Sequence, residues 1–163
     1  MAITTTGMIR ASTFAMMKLL SANVPSVNIP GTAKARVYPP GIQEDAAMPR
    51  ITVSQSTAPE QPAELGASVK SWADVTFSID IFDKRPGQCD ITADEVIQAI
   101  ESNRNYAPAT ITVRVGDMED NAVDPKGQFY MLRISGGSPT IPFPPTQLYR
   151  RTVRVAGRWF KSA

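Results

Sequence analysis

The sequence predicts an α+β domain: a mostly antiparallel sheet of five to six strands with two helices packed on one face. Three observations predict this class. Residues 72–83 alternate between apolar and polar side chains, residues 8–22 carry apolar side chains at helical spacing, and Pro-Gly turns separate several strand-like runs. A chain of 163 residues can bury a core of its own, so we expect residues 1–163 to form a single domain.

The N-terminal third predicts one helix, two strands and a long loop. Apolar side chains at helical spacing place the helix at residues 8–22: Ile9, Thr13, Met16 and Leu20. Pro25 ends it. Residues 36–38 and 50–55 read as strands. Residues 57–70 are rich in Pro, Ala, Glu and Gly and lack an apolar period, which predicts a mobile loop or arm.

The central segment predicts a strand that is buried on one face only. Its apolar set points one way: Val75, Phe77, Ile79 and Ile81. Its polar set points the other way: Asp74, Thr76, Ser78 and Asp80. This pattern is typical of antiparallel sheets. A type II turn is predicted at residues 85–88, since Pro and Gly hold its two inner positions.

A second helix is predicted to begin at Thr92. Thr92 and Glu95 have the spacing of a capping box, and Ile91 and Val96 have that of a hydrophobic staple. We expect this helix to end near Asn103.

Three further strands are predicted. Residues 110–115 form the first, residues 124–127 form a type I turn, and residues 128–135 return with Tyr130, Leu132 and Ile134 facing inward. An extended crossing with polyproline character covers residues 136–145. The last strand, residues 148–161, turns one set of side chains inward: Tyr149, Val153, Val155 and Trp159. Its other face carries Arg150, Thr152, Arg154, Arg158 and Phe160, and Gly157 suggests a bulge.

The residue inventory argues against an enzyme and predicts no metal and no cofactor. There is one cysteine, Cys89, and no histidine, which excludes an intrachain disulfide, a Cys/His zinc site and any histidine base. No phosphate-binding glycine motif occurs. A carboxylate-based enzyme stays open, although Asp74 and Asp80 would lie about 20 Å apart on their strand. The acidic residues at 117–124 do not match a calcium loop, so we expect a solvated loop there.

Charge is unevenly distributed along the chain. Residues 1–43 carry four bases and no acid, and residues 125–163 carry seven bases and no acid. Residues 44–124 carry 15 acids against six bases, a net charge of −9. Such separation suits contact between copies or with a charged partner, and equally suits termini that fold back on the acidic middle. No stretch is long and apolar enough to span a membrane, no cleavage site follows the N-terminal helix, and we expect an intracellular protein.

The arginine face of the last strand and the acidic face of the central strand are the candidate interface for oligomers or partners: Arg150, Arg154, Arg158, Asp74 and Asp80. Arginines beside aromatic residues are also typical of nucleic-acid-binding sheets, so a nucleic-acid-binding α+β module is the alternative from a different class.

The order of elements resembles the tail terminator, or tail completion, proteins of long-tailed bacteriophages and related head–tail joining proteins. The resemblance spans residues 8–160. It rests on the N-terminal helix, the strands "ARVYPPG" and "PRITVSQS", the unit "VTFSIDIFDK…ITADEVIQAI", and the closing "YRRTVRVAGRWF".

That resemblance implies a structural virion protein and not an enzyme. Such a protein forms a ring, usually a hexamer, that closes the tail tube and joins it to the head connector. Its partners would be further copies, the tail tube protein and head connector or adaptor proteins, with no small-molecule substrate, no membrane, and nucleic acid only passing through the ring. It would be assembled in the host cytoplasm and reside in the neck of the virion. Another connector ring or a tail-tube ring protein is the nearest alternative.

Overall fold

A computed structural model describes residues 3–4, 8–31, 35–40, 47–57, 72–108, 111–115, 118–124 and 126–161. These residues include two α-helices, α1 (Met8–Asn23) and α2 (Pro86–Ser102), and a 3-10 turn at Pro25–Val27. They also include eight strands: β1 (Ile3–Thr4), β2 (Val37–Tyr38), β3 (Arg50–Thr57), β4 (Trp72–Asp83), β5 (Ile111–Val115), β6 (Met118–Asp124), β7 (Gly127–Phe143) and β8 (Leu148–Lys161). The predicted loop or arm lies outside the described residues, apart from Thr57, which ends β3.

The main sheet has five strands in the order β2-β3-β4-β8-β7. Every pair is antiparallel except β2 with β3, which is parallel. Both helices share one core with its inner face. The predicted fold class, a mostly antiparallel sheet with two helices, is confirmed.

A second sheet of three strands has the order β1-β6-β5. Residues 111–115 therefore pair with β6, and the predicted return strand pairs with β8. The solvated loop expected for the acidic residues is also wrong in part, since Glu119, Asp120 and Asp124 belong to strand β6. Asp117 and Pro125, which belong to the predicted loop and turn, lie outside the described residues.

The central strand β4 matches its prediction. Its apolar residues Val75, Phe77, Ile79 and Ile81 are buried at 0–1% exposure. Phe77 pairs with Val155 of β8 and contacts Phe129 of β7 edge to face, with the ring centroids 5.8 Å apart. Because both flanking strands contribute large apolar side chains, the inner face of β4 forms the centre of the core.

Helix α1 is more deeply buried than an amphipathic helix. Eight side chains between residues 11 and 20 are buried, and only Thr13 and Lys18 are half-buried. The amide of Gln55 donates to the hydroxyls of Ser12 at 2.6 Å and Thr13 at 3.2 Å. Ser12 and Thr13 therefore face β3, and these hydrogen bonds offset the cost of removing the two hydroxyls from water.

Helix α2 begins six residues earlier than predicted. Arg85 is the extended N-cap residue, with φ −118° and ψ 127°, and Pro86 occupies the first turn, where a missing N–H costs nothing. The type II turn at residues 85–88 and the capping box at Thr92 are both wrong. The Thr92 hydroxyl donates to the Gln88 carbonyl at 3.0 Å within the helix, and Glu95 accepts from the Ser26 N–H at 3.2 Å. The predicted end near Asn103 is confirmed.

Strand β7 is longer and more irregular than predicted. It continues to Phe143, so most of the expected polyproline crossing is strand. A bulge between Tyr130 and Arg133 inserts one extra residue, and Met131 has φ 58°. The extra residue reverses the alternation, which leaves Tyr130 on the outer face and not inward as predicted. The bulge expected at Gly157 therefore lies on the neighbouring strand, directly opposite that glycine.

Candidate functional site

The candidate interface residues all lie on the outer face of the main sheet, the face directed away from α1 and α2. Even-numbered residues of β4 pair with even-numbered residues of β8, so their side chains share this face. Asp74 is opposite Arg158, Asp80 is opposite Thr152, and Arg150 is opposite Phe82. The structure thus brings Arg150, Arg154, Arg158, Asp74 and Asp80 onto one surface.

One end of the outer face is an aromatic cluster around Arg158. The Arg158 guanidinium lies 4.7 Å from the centre of the Trp72 ring, and its Nε lies 3.1 Å from Asp74 Oδ1. Trp72 stacks on Phe160 with ring centroids 6.2 Å apart, and Tyr130 meets Phe160 edge to face at 4.9 Å. Two attractive contacts therefore hold Arg158 in one orientation.

The other end repeats this chemistry with different residues. Phe82 and Phe143 contact each other with centroids 5.4 Å apart. Arg50 lies 5.0 Å from the Phe82 ring and Arg150 lies 4.7 Å from the Phe143 ring. Burial lowers the pKa of Arg50. Since each guanidinium packs on a ring, these two arginines act first as packing groups.

The middle of the outer face is different, because its arginines are exposed and unpaired. Asp80 accepts a 2.6 Å hydrogen bond from the Thr152 hydroxyl. Arg154 lies opposite Ser78, and Arg133 projects from β7. Among the described residues neither Arg133 nor Arg154 forms an ion pair or hydrogen bond through its side chain, and both are exposed. The side chains described on this face include five arginines and two aspartates, which makes it basic.

A shallow groove of about 480 Å³ lies beside the bulge of β7. It opens between β4, β8 and the exposed Met131. Its lining includes Asp74, Thr76, Arg133, Ala156 and Arg158. The groove is part of the same outer face and adds no separate chemistry.

Cys89 is not positioned as a nucleophile. Its thiol is buried in the first turns of α2, 3.5 Å from the Tyr149 carbonyl oxygen and 3.8 Å from the Ile81 carbonyl oxygen. Burial, reinforced by the nearby Asp83 carboxylate, raises the pKa of Cys89 to about 11. A buried thiol that stays protonated at neutral pH is a poor nucleophile.

Within the described part of the chain, no group of three or more Cys, Asp or Glu side chains is arranged to hold a metal ion. No helix in that part is both long and apolar enough to cross a membrane.

The sequence predicted the arginine face but not all of the residues that lie on it. Trp159 and Tyr149 point toward the core, as the alternation of the last strand predicted. Arg50 could have been placed on the outer face by alternation along β3. Alternation from Leu132 and Ile134 likewise places Arg133 on the outer face. Tyr130 could not be placed there, because the bulge that redirects it leaves no mark in the apolar pattern.

No protein-family model matches the chain, and no curated protein matches it in sequence. Among solved structures, the fold matches a chain in the virion of a native gene transfer agent (GTA) particle. The match covers 94% of this chain and 99% of that chain, with a TM-score of 0.52 and 12% sequence identity. The two chains share a fold.

Proposed function

We propose that this chain is a structural protein of a phage-like virion, and that it forms a ring which closes the tail tube and joins it to the head connector. The observation that carries the proposal is the fold match over nearly the full length of both chains to a component of a gene transfer agent virion. The resemblance in element order to tail terminator proteins supports the finer assignment to the neck of the virion.

The shape of the main sheet supports association through faces. Strand β7 is the edge of this sheet in the described residues, and three register shifts interrupt its pairing with β8. It also carries Pro139 and Pro142, which have no N–H to donate. Bulges and prolines block edge-to-edge strand addition, so the open outer face is the better surface for joining copies.

The test is the assembly state of the purified protein. Negative-stain electron microscopy and native mass spectrometry at low ionic strength should reveal closed rings of a single size, alone or after addition of tail tube protein. A protein that stays monomeric at high concentration, with and without tube protein, contradicts the proposal. Open filaments would identify a tube subunit instead.

A second candidate, a nucleic-acid-binding module, is favoured by the arginines beside aromatic rings on the outer face. It predicts retention of single-stranded DNA or RNA that falls steeply with salt. However, Trp72, Phe160 and Phe143 already contact other rings or guanidinium groups, which leaves few free faces for bases. Failure to retain either nucleic acid at low salt would eliminate this candidate.

A further inference from the structure

Helix α2 exposes a second charged surface, here called the helix stripe: Ile91, Asp94, Gln98 and Glu101. These residues recur at intervals of three and four, so they share one face of the helix. All four are exposed, and Ile91 is 53% exposed although it is apolar. Among the described residues, the carboxylates of Asp94 and Glu101 have no hydrogen-bond or ion-pair partner.

The other acids of α2 are already engaged, which makes the two free carboxylates distinctive. Asp90 accepts from the Thr140 hydroxyl at 2.6 Å and pairs with Arg151 at 3.0 Å. Glu95 accepts from the Ser26 N–H at 3.2 Å. Asp94 and Glu101 therefore contribute nothing visible to the fold of one chain.

The middle of the outer face carries the complementary groups, here called the sheet stripe: Met131, Arg133 and Arg154. Met131 is 64% exposed, the highest value among the large apolar side chains described. Arg133 pairs with Ala156, and Arg154 lies two residues beyond Ala156 on β8. Because the two strands are antiparallel, this step runs in the same direction across the sheet as the step from Met131 to Arg133. The stripe therefore reads apolar, basic, basic along a diagonal of the sheet.

The dimensions of the two stripes agree. Asp94 follows Ile91 by about 4.5 Å and Glu101 follows Asp94 by about 10.5 Å, at 1.5 Å per helical residue. On the sheet, Met131 and Arg133 are about 6 Å apart along the strand and Arg133 and Arg154 are diagonal neighbours at about 8 Å. Flexible arginine side chains cover the remaining difference of a few ångströms. Each acidic group can thus meet a guanidinium while Ile91 packs on Met131.

We propose that the helix stripe of one copy docks on the sheet stripe of the next copy. Helix α2 packs on the inner face of the sheet, so the two stripes point away from each other and cannot meet within one chain. A contact between two different surfaces is heterologous, and it propagates head to tail until rotation closes a ring. The inference rests on the proposed function, and it names the surfaces that would join the ring.

Two charge-reversal variants test this contact directly. Asp94→Lys/Glu101→Lys makes both stripes basic, and Arg133→Glu/Arg154→Glu makes both acidic. Each variant alone should lose the oligomer seen by native mass spectrometry, because like charges then face each other across every contact. An equimolar mixture should recover it, since each copy alternates with the other kind and a hexamer has an even number of places. Added salt should weaken the recovered oligomer.

The matched control is Lys84→Glu/Arg85→Glu, which changes the net charge by the same amount as the acidic variant at two exposed residues outside both stripes. It should assemble as the wild type does. If the wild type and each stripe variant on its own all form rings, this contact is wrong and the proposed function still stands. A wild type that never assembles would overturn both.

A cysteine pair keeps the test independent of charge. Because Cys89 is buried, Glu101→Cys/Arg154→Cys places the only two accessible thiols at the proposed contact. A short bismaleimide cross-linker, which replaces the reach of the arginine side chain, should produce a ladder of covalently linked oligomers on a denaturing gel, up to the ring size. The pair Lys84→Cys/Arg154→Cys is the control and should give no ladder. Equal ladders from both pairs would contradict the proposed docking.

Discussion

Gly157 of β8 and the side chain of Leu132 on β7 occupy adjoining space with no room for another carbon. A Cβ at position 157 would lie 2.8 Å from Leu132 Cδ2 and 3.2 Å from Leu132 Cα. The bulge between Tyr130 and Arg133 turns Leu132 inward above this glycine. The same bulge presents Met131 to solvent, so the packing of one pair of residues sets the shape of the outer face.

Gly157→Ala should therefore destabilise the fold. Overpacking a site whose neighbour is backbone as well as side chain typically costs about 1–3 kcal/mol. Urea unfolding followed by tryptophan fluorescence measures the change. Gly87→Ala is the matched control: a Cβ added at this position would have no such neighbour within 4 Å, and Gly87 is in the first turn of α2. That variant should gain about 0.5–1 kcal/mol. Equal stability of Gly157→Ala and wild type would contradict the close packing.

Reversal of charge at Arg154 should separate assembly from folding. Arg154 is exposed and has no ion pair among the described residues, so Arg154→Glu should change the free energy of unfolding by less than about 0.5 kcal/mol. The oligomer should weaken, because the basic middle of the outer face then carries an acid. Thermal unfolding and native mass spectrometry on the same sample give both results. If Arg154→Glu unfolds the monomer, the arginine face has a structural role instead.

The arginine and aspartate pairing on the outer face should contribute little to stability. The side chains of Arg158 and Asp74 are 47% and 72% exposed, and exposed pairs typically contribute about 0.2–1 kcal/mol. A double-mutant cycle of Arg158→Ala and Asp74→Ala should give a coupling energy in that range. A coupling of several kcal/mol would mean that this end of the face is far less hydrated than its exposure indicates.

Strand faces were predictable where burial alone determines them. The alternation of β4 and β8 follows from one buried and one hydrated face, and it placed Asp74, Asp80, Arg154 and Arg158 correctly. Alternation fails wherever one strand carries an extra residue. No composition signal marks Met131 as the bulged position, so the pattern assigned Tyr130 to the wrong face.

The start of α2 shows that a capping pattern can be present in the sequence without capping the helix. Thr92 and Glu95 satisfy the capping-box pattern, but Pro86 begins the helix earlier and leaves both residues in its interior. Their polar groups then bond to Gln88 and to Ser26. Ser26 is 69 positions away from Glu95, and no pattern within the helix can predict a contact of that kind.

The buried thiol of Cys89 should resist modification until the protein unfolds. Its pKa is raised to about 11, chiefly by burial, from an ordinary value of 9.0. The native state therefore holds the thiol proton more tightly than the unfolded state. The associated stability is fully present below pH 9 and is lost as pH rises toward 11. Iodoacetamide at pH 8 should label Cys89 only in denaturant. Urea unfolding of Cys89→Ala should lose this alkaline component, and rapid native labelling would contradict the burial.

Asp90 should make the free energy of unfolding depend on pH in the acidic range, because it links α2 to β7 and β8. The hydrogen bond from Thr140, followed by that from Arg151, lowers the pKa of Asp90 below its ordinary value of 3.8. The folded state thus binds this proton less tightly than the unfolded state, so the stabilisation is present above that ordinary value and is lost as pH falls through the lowered pKa.

Asp90→Asn should be less stable than wild type at pH 7, and the difference should shrink as the pH is lowered below 4. Thr140→Val removes the larger cause and should reproduce most of the same trend. Urea unfolding at a series of pH values measures both variants, and a difference that stays constant down to pH 2 would show that the carboxylate charge at Asp90 does not stabilise the fold.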